Sequence, residues 1–213
     1  MKILSVSDVE LSFIYSQQIV SRFGDVDLVI SCGDLPYYYL EYIISMLNKR
    51  LYFVHGNHAS RVEHWDEGTI RHGPWGAIDL HQRGVCDESG LLLAGIEGCL
   101  QYNYGPHQYS QGDLWLKVFA LTPRLFYNRL RYGRYLDVFV THAAPWKIQD
   151  REDRPHRGSR AFRWLDRVFR PQLHLHGHIH IYRQDTVTET QFYQTRVINT
   201  YGYKITSLDL PRH

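Results

Sequence analysis

The stretch from Asp27 to Asn57, DLVISCGDLPYYYLEYIISMLNKRLYFVHGN, decides how the chain is read. Asp27 to Ser31 is an apolar run of strand length that leads into Gly33-Asp34. Pro36 can open a helix, because the N–H it lacks is one that the first helical turn does not use. That helix is predicted to run through Met46 to Lys49, and Leu51 to Val54 is the next strand, leading into Gly56-Asn57. Strand, turn, helix and strand in this order make a parallel β-α-β unit. On the N-terminal side, Lys2 to Ser7 reads as a buried strand reaching Asp8, and Tyr15 to Phe23 as a short helix closed by Gly24. Each strand hands over to a polar residue at its carboxyl end, where open α/β sheets place their ligands.

On the C-terminal side the pattern dissolves from Ala59 to Gly84 into a loop rich in Gly, His and Trp. Leu91 to Gly95 is a strand, and Gly98 to Gln111 is irregular. Ser110 with Asp113 is a capping pair for a helix over Gly112 to Arg134, which Pro123 should break or kink. Tyr135 to Val140 is a strand, Gly158 to Phe169 an amphipathic helix stopped by Pro171, and Leu173 to His176 another strand. Arg196 to Ile198 and Tyr203 to Leu208 read as a terminal hairpin.

A length of 213 residues, 44% hydrophobic and 22% charged, suits one domain, here residues 1–213, around one substantial core. A formal charge of +2 gives no footprint for nucleic acid or membrane. No run approaches the ~18 apolar residues of a membrane helix, and no signal peptide precedes Asp8. Cys32, Cys86 and Cys99 cannot all pair and form no Cys-x-x-Cys, so a reduced, cytoplasmic setting is expected. The compositional oddity is thirteen histidines.

Several of those histidines fall at strand ends together with oxygen ligands: Asp8-Val9-Glu10, Gly33-Asp34, Gly56-Asn57-His58, Thr141-His142 and Gly177-His178-Ile179-His180. A glycine permits the tight turn that presents the next side chain. Residues two apart on an extended segment point the same way, so Asp8 pairs with Glu10 and His178 with His180. Carboxylate, amide and imidazole together suit divalent ions of borderline-to-hard character. Capping is the ordinary duty of Asp and Asn at strand ends, but chance rarely assembles all these pieces in order.

These motifs resemble those of the calcineurin-like metallophosphoesterase superfamily, and of its small bacterial members in particular: Asp-x-His, Gly-Asp, Gly-Asn-His-Asp/Glu, a later His, then Gly-His-x-His. The match spans Asp8 to His180. His156-Arg157-Gly158 to Trp164 and Val197-Ile198-Asn199 add a less specific likeness. The resemblance implies an α/β fold, a two-sheet β sandwich flanked by helices on both faces. It implies one ion held by Asp8, Glu10, Asp34 and His180, and a second held by Asp34, Asn57, His142 and His178, with Asp34 shared. It implies a phosphoesterase in which His58 protonates the leaving oxygen or stabilises its charge. Manganese is the first expectation for the two divalent ions, with iron, zinc, nickel and magnesium as alternatives.

Two positions depart from the pattern: Glu10 stands where His is usual, and Ala59 where an acidic residue is usual. Glu10 adds a carboxylate to Asp8 and Asp34. That lowers the positive charge of the centre, tilts it towards oxygen-preferring ions such as Mn²⁺, and favours a monoanionic phosphodiester over a dianionic monoester. Ala59 removes the usual partner of His58, a role that Glu63, Asp66 or Glu67 could take.

The remaining histidines read more plainly. His174 and His176 alternate with Leu173 and Leu175 on a strand face, and His55, His64, His72, His81 and His107 read as surface or hydrogen-bonded residues. His156 and Arg157 are candidates for substrate contact. Arg160, Arg163, Arg167 and Arg170 share a helix face opposite Phe162, Leu165, Val168 and Phe169, as a solvated face does. Tyr102-Asn103-Tyr104 and Tyr109 read equally as stacking platform and as packing. The expected partner is a small phosphorylated substrate, with no membrane and no nucleic acid, and the oligomeric state is open. The alternative is a catalytically silent interaction module on the same fold, which would have no need of so many convergent ligands.

Overall fold

The computed structural model describes residues 1–58, 63–64, 70–183 and 185–210, with the side chains of residues 63–64 excepted. Ala59, Asp66 and Glu67 lie outside the described residues, as does the side chain of Glu63. The first half follows the β-α-β reading: β1 (Lys2–Ser7), α1 (Gln18–Phe23), β2 (Leu28–Ser31), α2 (Tyr37–Leu47) and β3 (Leu51–Phe53). The stretch read as a loop holds more order than its composition announces: β4 (Glu63–His64), β5 (Ile70–Arg71), β6 (Ala77–Asp79) and β7 (Gly84–Cys86). After β8 (Leu92–Ile96) come the two-residue strands β9 (Cys99–Leu100) and β10 (Gln108–Tyr109). Then follow α3 (Gln111–Tyr132), β11 (Val138–Thr141), α4 (Arg160–Phe169), β12 (Leu173–His176), β13 (Glu189–Phe192), β14 (Thr195–Asn199) and β15 (Gly202–Ser207).

Two major sheets result, in the orders β15-β1-β2-β3-β6 and β13-β14-β12-β11-β8-β7, beside the two-stranded pairs β9-β10 and β4-β5. The inner strands of both are parallel. Alternation along each strand divides the core into three layers. Ile3, Leu28 and Ile30 from the first sheet meet Leu93, Val138, Val140 and Leu175 from the second. Their neighbours Leu4, Val6 and Val29 face the other way, onto Ile19 of α1 and Leu40 and Ile43 of α2. Ala94 and Phe139 face Val118 and Leu121 of α3 and Phe162 and Leu165 of α4. Helices therefore cover the outer face of each sheet. Fully burying one such side chain is worth ~1.5–3 kcal/mol, so this alternation fixes both sheets.

Two expectations are corrected. Helix α3 runs unbroken through Pro123. The carbonyl of Phe119, which Pro123 cannot serve, accepts instead from the Thr122 hydroxyl at 2.8 Å. At its start Ser110 and Asp113 form the reciprocal cap their spacing announces. The terminal hairpin does not form either. β14 pairs with β12 and β13 in the second sheet, whereas β15 runs antiparallel to β1 in the first. The short connection crosses between layers, and the Thr200 hydroxyl bridges Ser7 Oγ (3.1 Å) and His176 O (2.9 Å). This crossing ties the end of β1, where Asp8 sits, to the end of β12, where His178 sits.

Candidate metal centre

The carboxyl ends of β1, β2, β3, β11 and β12 converge, and each delivers at least one polar side chain. Asp8, Asp34 and His178 all take left-handed backbone, at φ 65°, 54° and 66°. Each costs of order 1 kcal/mol or more for a non-glycine residue, a strain that recurs at functional sites. The glycines beside them are required by space. A Cβ on Gly56 would lie 2.0 Å from Asp34 Oδ1, and one on Gly177 would lie 2.5 Å from Asp8 Oδ2. The backbone is thus drawn in around two carboxylates.

Asp34, His142 and His178 bring ligand atoms within 4.8 Å of one another. His142, fully buried, points Nε2 at Asp34 Oδ2 (3.1 Å) and Asn57 Oδ1 (3.0 Å). Its Nδ1 donates to the carbonyl of Cys32 at 2.8 Å, which leaves Nε2 as the lone-pair nitrogen aimed at the ligand oxygens. His178 follows the same plan: Nε2 donates to Pro155 O at 2.9 Å, so Nδ1 is the free donor atom. Its backbone N–H lies 3.1 Å from both oxygens of Asp8. His180 sets Nδ1 on the Tyr182 hydroxyl (2.9 Å), while Nε2 faces Asp8 Oδ1 at 3.8 Å. The backbone N–H of His58 donates to Asp34 Oδ1 at 2.9 Å, and the exposed residue stands at the mouth.

The electrostatics ask for a cation. Burial pushes Asp8 up, with Asp34 adding to the rise and His142 opposing it. Burial would raise Asp34 too, but His142 and the His58 N–H hold it well below the usual carboxylate range. Burial opposes a charge on His142, yet the two carboxylates push it up to about 9. His178, turned towards His142 and buried, is pushed down to about 3. Without metal the two carboxylates favour a proton on Nε2 of His142, the place a bound cation would take, while His178 stays neutral as a ligand does. The donor set and its glycine cradle fit divalent metal.

Glu10 is placed differently. It is exposed, and its carboxylate accepts from the Tyr38 hydroxyl at 2.5 Å. Like Asp8 and His180, it lies outside the close trio of Asp34, His142 and His178. His156 lies beside the centre, its ring centroid 5.1 Å from that of His178 and its Nδ1 2.5 Å from Asp153. Arg157 is exposed and donates to Glu152 O. Tyr102, read from the sequence as stacking platform or packing, has another place: its hydroxyl accepts from Asn57 Nδ2 at 3.0 Å and fixes the amide with Oδ1 towards His142. No motif marks it, because it arrives on a loop.

A second cluster also escaped the sequence. Glu97 accepts from Tyr109 (2.5 Å), and the Nδ1 atoms of His107 (3.0 Å) and His55 (3.2 Å) face its two oxygens. His174 and His176, in contrast, are held as strand residues, by Asp166 and Gln149 at 2.8 Å each.

Residues 1–182 match the family model for calcineurin-like phosphoesterases. The chain belongs to that family. Membership brings metal-dependent phosphoester hydrolysis as its chemistry, and the ligand group above is where this phosphoesterase can hold metal. Among solved structures, one chain superposes with a TM-score of 0.64 at 12% identity, covering 96% of this chain and 93% of its own. TT1561 of Thermus thermophilus superposes at 0.60 and 14% identity, covering 94% and 89%. At such identities the likeness is one of fold. No curated protein matches the sequence. Among the described residues, no helix is long and apolar enough to cross a membrane.

Proposed function

We propose that this phosphoesterase hydrolyses a phosphodiester, using two divalent ions held by Asp8, Asp34, Asn57, His142, His178 and His180. The observation that carries the reading is the orientation of the imidazoles. His142 has its outer nitrogen on a backbone carbonyl and its inner one on the ligand oxygens, and His178 has its Nε2 on the Pro155 carbonyl. The ions, manganese first among the candidates, would supply Lewis-acid polarisation of the phosphoryl group and lower the pKa of the attacking water.

The chain's own residues do the rest. Asp34 fixes the His58 backbone, which sets that imidazole at the mouth, where it can protonate the leaving oxygen. His156, oriented by Asp153 and next to His178, is placed to contact the substrate. Glu10, two residues from Asp8, adds its negative field to the centre. An anionic carboxylate at the mouth repels a dianionic monoester about twice as strongly as a monoanionic diester.

The test compares kcat/KM for matched aryl mono- and diesters with the metal-loaded protein. The diester is expected to be preferred, and Glu10→Gln should move the ratio towards the monoester. A monoester preference that Glu10→Gln leaves unchanged would rule the diester reading out.

A further inference from the structure

Beside the centre lies a cleft of about 370 Å³ whose walls include Gln101, Gln111, Arg154, Arg157 and Arg160 but no carboxylate. The arginines are anchored on neutral groups. Arg154 Nε donates to Gln101 O at 3.1 Å, Arg157 Nη2 to Glu152 O at 2.9 Å, and the Arg160 guanidinium lies 4.9 Å from the Trp146 ring centroid. A guanidinium carries five N–H donors, so each of these contacts holds the side chain in place and leaves most of its donors free. Asp150 and Glu152 line the adjoining cavity with Arg157 and Arg160, but within this cleft like charges converge, and a phosphate, which arginine grips bidentately, relieves their repulsion.

The cleft is built, and it borders the reacting position. Gln111 donates to Gly158 O at 3.0 Å and accepts from the backbone N–H of Arg160 at 3.1 Å, which locks the starts of α3 and α4 together. The positive ends of both helices add to the field of the arginines. On one wall, Arg154 is followed directly by Pro155, whose carbonyl takes His178 Nε2. On the other, Gln101 precedes Tyr102, the residue that holds Asn57. An anion in the cleft is therefore a neighbour of whatever lies between Asn57 and His178.

We propose that this cleft binds a further phosphate on the leaving-group side of the substrate. The preferred substrate is then a small molecule in which the group departing from the reacting phosphorus bears a phosphate of its own. This rests on the phosphoesterase reading above and names its substrate class. The bond changes are those of hydrolysis. The oxygen of water joins the reacting phosphorus, the bond from that phosphorus to the leaving oxygen breaks, and one proton of the water ends on that oxygen. The further phosphate only binds. A volume of this order matches small-molecule sites, which favours a small ligand over a polymer.

Two aryl phosphodiesters matched in leaving-group acidity, one bearing a phosphate on its leaving ring, test the proposal with the metal-loaded protein. The phosphorylated ester should have a kcat/KM roughly tenfold higher, mainly through KM. In the Arg154→Gln/Arg157→Gln protein the ratio should fall towards one. A wild-type ratio near one, or a ratio the double variant leaves unchanged, overturns the proposal. Inorganic pyrophosphate titrated into the Asp34→Asn protein reads the cleft without turnover. Its Kd should rise roughly tenfold when Arg154 and Arg157 are also replaced, and equal binding overturns the subsite. Hydrolysis of neither ester by the wild-type protein would sink the phosphoesterase reading, while the pyrophosphate titration still decides the cleft.

Discussion

Two groups of histidine and carboxylate lie on either side of the Gly56-Asn57 turn, and both bring their ligand atoms within 4.8 Å. Around Asp34 a second carboxylate, Asp8, raises the negative charge, and the backbone is held left-handed at Asp8, Asp34 and His178. Glu97, with Asp79 as a more distant carboxylate, meets Tyr109, His107 and His55, and lies well below its usual pKa range. His55 Nε2 is also engaged, by the Tyr37 hydroxyl at 2.9 Å. Close approach alone therefore does not distinguish a metal centre from a hydrogen-bonded clamp. What distinguishes them is charge balance: the first group has anionic oxygen in excess, and the second has already met its own.

The largest effect should come from removing that excess. Asp34→Asn is expected to cut turnover of an aryl phosphodiester by about 10³-fold or more, since metal-borne charge stabilisation of several kcal/mol goes with it. Next is His58→Ala, which should keep the metal and still lose about 10²-fold in kcat, measured at saturating metal. An equally active variant would make His58 a structural residue. Glu97→Gln should act on stability instead. Breaking the buried clamp costs about 3 kcal/mol in denaturant unfolding, with metal content unchanged.

The last effect is in pH, and it has opposite signs at His142 and His81. In chelator-treated protein His142 is raised to about 9, so its contribution is complete below its ordinary 6.5 and is lost as pH rises through 9. His81, beside Glu97, is lowered to about 4, chiefly by burial, so stability falls as pH drops from 6.5 towards 4. Each limb is worth up to about 1.4 kcal/mol per pH unit. Thermal melts across pH 4–10 should show both limbs without metal and only the acid limb with it. An alkaline limb that metal does not remove would separate His142 from the centre.

The metal centre was legible because its ligands sit at strand ends, where an apolar run, a glycine and a polar residue follow one another. Asp34 after Gly33 and Asn57 after Gly56 could be found from spacing alone. The Glu97 clamp could not. Its members come from just past β3, the end of β8 and the loop before β10, and no periodicity links His55 to His107. The same holds for the last two strands. Alternation showed that Arg196 to Ile198 and Tyr203 to Leu208 were strands, but a short connection serves a hairpin and a step between sheets equally well. For Glu10, motif position implies a ligand, while the contact from Tyr38, in the first turn of a helix distant in sequence, had no signal in the sequence.

The most direct test is the metal content of wild-type, Asp34→Asn and Glu97→Gln proteins, purified alike and reloaded with Mn²⁺. The account predicts about two ions per chain in the wild type, as dinuclear phosphoesterases hold, a loss of bound metal in Asp34→Asn, and an unchanged content in Glu97→Gln. Full metal in Asp34→Asn, with loss in Glu97→Gln, would place the metal in the other cluster and contradict it.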